Sequence, residues 1–221
     1  MNGLGTWGRT IAGLCLAVAA SWAGAQSSQP PLKARQVADG TFMVQGLAEL
    51  GSSANQNFIS NSGFVITSEG VVVVDALGSP ELARRLLGEI RQVTQQPVRW
   101  VVVTHYHADH IYGLQVFKSA GAQILAHERA REYLNSDTAA LRLKASRQDL
   151  WPWVDDQTKL VPADRWIQKT ETLRLGGVDF IVEPVGPAHT AEDLVMYVPQ
   201  RRVLRSEEHT SELQSRGLIS Y

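Results

Sequence analysis

A single cysteine, Cys15, occurs among 221 residues. It lies inside an apolar N-terminal segment, so the chain beyond it has no thiol for a disulfide, a nucleophile or a thiolate metal site. Any metal must then be held by histidine, carboxylate and water. An excess of either charge is also missing: 21 Lys and Arg stand against 22 Asp and Glu, a formal net charge of −1. With no basic stripe to neutralise a phosphate backbone, nucleic acid is not an expected partner. Aromatics are sparse at 7%, and Pro (9) and Gly (18) are too few for collagen-like or low-complexity sequence. The 44% hydrophobic content is that of a globular chain, and a domain usually takes roughly 100–200 residues.

No apolar run is long enough to span a bilayer, which takes about 18–20 residues. Ile11 to Ala20 is apolar and broken only by Gly13. Arg9 precedes it and Ala23-Gly24-Ala25 follows, so residues 1–25 read as a secretory signal peptide cleaved before Gln26. The mature chain is expected to be periplasmic or secreted, without membrane contact after cleavage. Loss of Arg9 with the leader takes the net charge from −1 to −2.

At the other end, the eleven residues from Arg205 to Ser215 (RSEEHTSELQS) resemble the conceptual translation of a common short-read sequencing adapter. Residues 205–221 are therefore expected to be a non-native tail, and residues 26–204 the domain.

Within that domain, short extended segments are expected at Ala34–Val37, Thr41–Val44 and Phe58–Ile59. Phe64–Ile66 and Val71–Asp75 form a hairpin about Ser68-Glu69-Gly70. The four valines 71–74 suit a strand buried on both faces. Ser79-Pro80-Glu81 opens a helix, with Ser79 as cap, Pro80 at its first position and a stripe of Leu82, Leu86, Leu87 and Ile90. A buried strand Val98–Thr104 follows, then a helix over Gly113–Ser119, a strand Gln123–Ala126 and more helical sequence, interrupted by Trp151-Pro152-Trp153. Strands flank Gly176-Gly177, and Leu194–Val198 is another. Hairpins first and alternation afterwards suit a layered α/β fold.

The chemistry concentrates in Thr104-His105-Tyr106-His107-Ala108-Asp109-His110. Three of the six histidines and an aspartate fall within six residues, just past a valine-rich strand. His105 and His107 are two apart, so an extended loop turns both toward one ion. Imidazole and carboxylate are what Zn²⁺ accepts in the absence of thiolates. His127 fits no motif and reads as structural or solvent-facing. Trp151 and Trp153 read as a packed lid or core edge, with a substrate cleft as the alternative.

The chain resembles the metallo-β-lactamase-fold superfamily, whose HxHxDH motif stands here as His105, His107, Asp109 and His110. Val71 to Asp75 matches the family strand that ends in an Asp behind the metal loop. Gly186 to Asp193 matches its third motif, a turn that presents one histidine, His189. The similarity runs from about Asn57 to Leu204.

By resemblance, the fold is an αββα sandwich with an incomplete second half. His105, His107 and His189 would hold a first zinc, and Asp109 and His110 would contribute to a second. Asp109 would also orient the metal-bound water, which makes it the catalytic residue, and Asp75 would fix the loop from behind. The family continues after Leu204 with a Gly-Asp pair and a later histidine, both missing here; His209 belongs to the tail and takes no role. The expected activity is hydrolysis of an amide- or ester-type carbonyl bond in a small molecule, β-lactamase-like. Thioester or lactone hydrolysis is the alternative, and an inactive fragment that binds zinc weakly is the reading from another class.

Overall fold

The computed structural model describes residues 31–206. The expected signal peptide lies outside the described residues, as does the tail beyond Ser206.

The chain opens as an antiparallel meander: β1 (Arg35–Ala38), β2 (Thr41–Val44), β3 (Ser62–Thr67) and β4 (Gly70–Val74). From β4 the sheet turns parallel through β5 (Val98–Val102), β6 (Gln123–His127) and β7 (Arg165–Ile167), giving seven strands in chain order. Parallel strands need crossover connections, and helices supply them. Helix α1 (Pro80–Val93) joins β4 to β5. The short α2 (Ala108–Ile111) and α3 (Leu114–Ser119) join β5 to β6, and α4 (Ala130–Leu134) and α5 (Asp137–Asp149) precede β7.

A second, antiparallel sheet has the order β11-β10-β9-β8, built from β8 (Glu171–Leu175), β9 (Val178–Pro184), β10 (Leu194–Val198) and β11 (Val203–Arg205). Arg205, the first residue of the adapter-like segment, pairs with Met196 at the edge of this sheet.

Alternation in the first sheet divides its side chains between two cores. Val71, Val73, Val101 and Val103 face the helices and pack with Leu82, Leu86, Ile90 and Phe117. Val65, Val72, Val74, Val102 and Leu125 face the other way, onto Phe180, Val182, Leu194 and Met196 of the second sheet. The valine run is therefore buried on both faces, as its composition implies. Helix, sheet and sheet form three of the four expected layers. A helical layer on the outer face of the second sheet is not seen among the described residues.

Helix α1 begins where expected: Ser79 accepts from the Leu82 amide at 3.3 Å, and Pro80 follows it. Three local expectations need correction. Phe58–Ile59 is not a strand; the fully buried Phe58 is held by loop bonds to Leu47 and Asn55. Strand β7, only three residues long, was not anticipated. The helical stretch before Trp151 divides into α4 and α5, because Ser136 caps a new helix by accepting from the Ala139 amide at 3.2 Å.

Candidate metal centre

The carboxyl ends of β4, β5 and β6 lie side by side and deliver Asp75, His105 and His127 to one end of the sheet. Past β5 the chain remains extended to His107, which precedes the one-turn helix α2. Asp109 and His110 sit on that turn. The third histidine of the cluster, His189, comes from the second sheet, in the loop between β9 and β10.

His105, His107 and His189 each offer a ligand nitrogen, and all three atoms lie within 4.8 Å of one another. The ring centroids of His105 and His107 are 4.6 Å apart, and each lies 4.8 Å from that of His189. His189 Nε2 and His107 Nδ1 are 3.0 Å apart. His105 is 1% exposed, and its Nε2 has no hydrogen-bond partner. A buried polar atom without a partner costs about 1–3 kcal/mol, so it points to a ligand. Burial above all, reinforced by His110, His107 and His189, pushes the His105 pKa far below the ordinary histidine value. Burial and the neighbouring His189 lower that of His107. Both imidazoles are thereby kept neutral, which metal ligation requires. The donor set fits a zinc ion.

Asp75 underlies the cluster. Its backbone has a positive φ of 60°, a conformation Asp tolerates better than most residues. One carboxylate oxygen accepts from the Thr104 amide at 2.8 Å; the other accepts from Thr104 Oγ1 at 2.8 Å and faces His110 Nδ1 at 2.9 Å. Thr104 Oγ1 in turn lies 3.1 Å from His105 Nδ1. The strand-end aspartate thus orients two histidines, one directly and one through a threonine.

His110 Nε2 lies 3.3 Å from Asp109 Oδ2. Burial opposes protonation of His110, but Asp75 and Asp109 outweigh it and hold the imidazole well above the ordinary range. Burial likewise opposes ionisation of Asp109, and His110 overcomes that effect, leaving the carboxyl below its ordinary value. Asp109 and His110 therefore pair with each other beside the three-histidine cluster.

Sequence reasoning missed several supports. Thr104 was seen only as a strand end. Ser60 Oγ donates to the Asp109 carbonyl at 2.5 Å, and Ser62 Oγ donates to the Val74 and Asp75 carbonyls at 2.9 Å. None of these carries a spacing signal. Arg129 Nη1 donates to the Ala191 carbonyl at 3.4 Å, tying the His189 loop to the end of β6.

His127 stays structural: its Nδ1 accepts from the Arg129 amide at 3.1 Å, and burial lowers its pKa. Trp153 donates its indole N–H to the Ser53 carbonyl at 2.7 Å. It lines a depression of about 260 Å³ with Pro80, Glu81, Arg84 and Gln115 that includes none of the histidines. Trp151 is 64% exposed. No helix among the described residues is long and apolar enough to cross a membrane.

The chain is similar in sequence and fold to known proteins. The chain is 26% identical over 176 residues to metallo-beta-lactamase IND-1 of Chryseobacterium indologenes, a match covering 80% of this chain and 62% of that protein. It is 28% identical over 168 residues to a linear primary-alkylsulfatase of a Pseudomonas strain, covering 64% and 32%. Among solved structures, a metallo-beta-lactamase from Pontibacter korlensis superposes with a TM-score of 0.58 at 24% identity, covering 78% and 69%. The chain thus spans less than two thirds of the length of these curated relatives. The model of the metallo-beta-lactamase superfamily matches residues 56–206, a span that runs from the loop before β3 through the last described strand and contains all the clustered histidines, so the chain belongs to that superfamily.

Proposed function

We propose that the chain is the larger part of an exported zinc hydrolase that opens an amide- or ester-type carbonyl bond in a small molecule, β-lactamase-like. The observation that carries this reading is the buried, partnerless Nε2 of His105 within a triangle of three imidazoles. His105, His107 and His189 would hold the first zinc, while Asp109 and His110 would contribute to a second. When bound, zinc supplies a Lewis acid that brings the pKa of water from 15.7 to about 7. Asp109, ionised beside His110, orients the attacking water by accepting its hydrogen bond. Asp75 holds His110 and, through Thr104, His105. Two curated relatives named metallo-beta-lactamase and alkylsulfatase support hydrolysis as the reaction class. Residues 205–221 are taken as foreign to the native protein, and residues 1–25 as its export signal.

Elemental analysis of the purified chain tests the centre directly. At least one zinc is expected per chain, with the His107→Ala variant losing it, since two ligands do not close a tetrahedral site. Unchanged stoichiometry in the variant overturns the assignment. In the zinc-loaded chain, hydrolysis of a chromogenic cephalosporin should fall by about 10²–10⁴ in Asp109→Asn. Hydrolysis of thioesters or lactones in its place would select the alternative substrate, and zinc uptake without turnover would reduce the chain to a zinc-binding fragment.

A further inference from the structure

Helix α2 is a single turn, too short to satisfy all of its own carbonyls. The carbonyl of Asp109 would ordinarily accept from the amide four residues on, that of Gly113. That amide is turned away and donates to the Leu77 carbonyl at 3.2 Å, while the Ala76 amide takes the next carbonyl, that of His110, at 2.9 Å. The Asp109 carbonyl is left to a side chain from a distant part of the sequence: Ser60 Oγ donates to it at 2.5 Å. Ser60 is fully buried, so the bond lies out of solvent.

Ser60 itself stands on a rigid base. Upstream of it, the connection from β2 to β3 is knotted by amide side chains. Asn55 Oδ1 accepts from the Ser52 amide at 2.9 Å and the Asn57 amide at 3.1 Å, and Asn55 Nδ2 donates to the Leu50 carbonyl at 2.9 Å. Asn57, at a φ of 60°, donates from Nδ2 to the Gly78 carbonyl at 3.2 Å, which ties the connection to the turn after Asp75. A Cβ at Gly46 would lie 2.5 Å from the Ser60 carbonyl oxygen, so the two ends of the connection pass in backbone contact. Downstream, Ser62 Oγ donates to the Asp75 carbonyl at 2.9 Å. Residues 57–62 thus reach three segments at once: Asp75, the turn after it, and the turn that carries Asp109.

We infer that Ser60 is a positioning residue: its hydroxyl fixes the turn of α2 so that the Asp109 carboxylate stays against His110 Nε2, 3.3 Å away, in register with Asp75. Ser60 acts through Asp109 and not on the reacting atoms. Its effect on turnover rests on the hydrolase reading above; its effect on the Asp109 side chain does not.

Carboxyl ¹³C spectra of the metal-free chain and steady-state kinetics of the zinc-loaded chain test this together. In Ser60→Ala the Asp109 side-chain carboxyl signal should shift while the chain still melts cooperatively and zinc stoichiometry stays the same. The kcat for a chromogenic cephalosporin should fall about 10-fold, with KM changed by less than about 2-fold. A residue that only stabilised the fold would lower Tm and leave the carboxyl signal and kcat of the folded chain where they were. Ser60→Cys keeps the volume with a weaker donor. It should move both readings in the same direction by less, and it decides the matter if Ser60→Ala does not fold. An unchanged carboxyl signal in the folded variants, or an unchanged kcat in an active chain, overturns the inference. Absence of turnover in the unmodified chain counts against the hydrolase reading alone, because the carboxyl signal still reads Ser60.

Discussion

Three histidines that lie within six residues of one another end in opposite protonation states, because each meets different neighbours. His105 and His107 are driven neutral, chiefly by burial, while His110 is driven charged by Asp75 and Asp109 against its own burial. The unfolded chain takes up protons at each near the ordinary value of about 6.5. Below that pH the unfolded state takes up protons at positions 105 and 107 more readily than the folded state, so these two subtract from stability as pH falls. His110 runs the other way: its contribution is fully present below about 6.5 and is lost as pH rises through its raised folded value. In imidazole ¹⁵N spectra of the metal-free chain, His105 should remain neutral at pH 6, His107 should titrate below the ordinary histidine value, and His110 should remain protonated at pH 7. A common titration near 6.5 for all three would mean that the Asp75 network does not hold them as described.

The elements follow from local sequence unevenly. The histidine loop was legible because His105, His107 and His110 lie within six residues and because the valine-rich strands β4 and β5 that precede it announce a buried sheet. The start of α1 was legible because Ser79 and Pro80 are a cap and a first-turn residue whose physics is local. Strand β7 was not legible: three residues carry too short a pattern, and Arg165–Ile167 is a strand only because β6 lies open beside it.

Two glycines separate these local and tertiary effects. A methyl group added at Gly113 would press into the Ala76 carbonyl and the Ala83 side chain, where α1 crosses the start of α3. At Gly88, within α1, nothing lies within 4 Å. Gly113→Ala should therefore cost about 1–3 kcal/mol by overpacking, whereas Gly88→Ala should gain about 0.5–1 kcal/mol from helix propensity. Urea denaturation of both variants reads the difference. Equal effects would show that the two helices are not in close contact. Ser79→Ala should cost about 1 kcal/mol through the lost cap.

At the scale of the whole molecule, two sheets meet through an apolar layer, and the candidate centre lies at one end of that layer. His105 and His107 belong to the first sheet and His189 to the second, so an ion held by all three would join halves of the fold that are otherwise linked by packing and by bonds such as that from the Leu194 amide to the Thr104 carbonyl, 2.8 Å. A ligand that binds only the folded state stabilises it by RT ln(1 + [L]/Kd), about 2.7 kcal/mol at 100 times Kd. For a domain of this size, each kcal/mol moves Tm by roughly 2–4 °C, so zinc at that excess should raise Tm by about 5–10 °C. In His189→Ala the remaining two ligands lie on one loop of one sheet. Most of the rise should vanish, and zinc should no longer slow amide exchange in the loop from Val185 to Asp193. A Tm rise that survives intact in His189→Ala would place the ion on the first sheet alone and remove the second sheet from the centre.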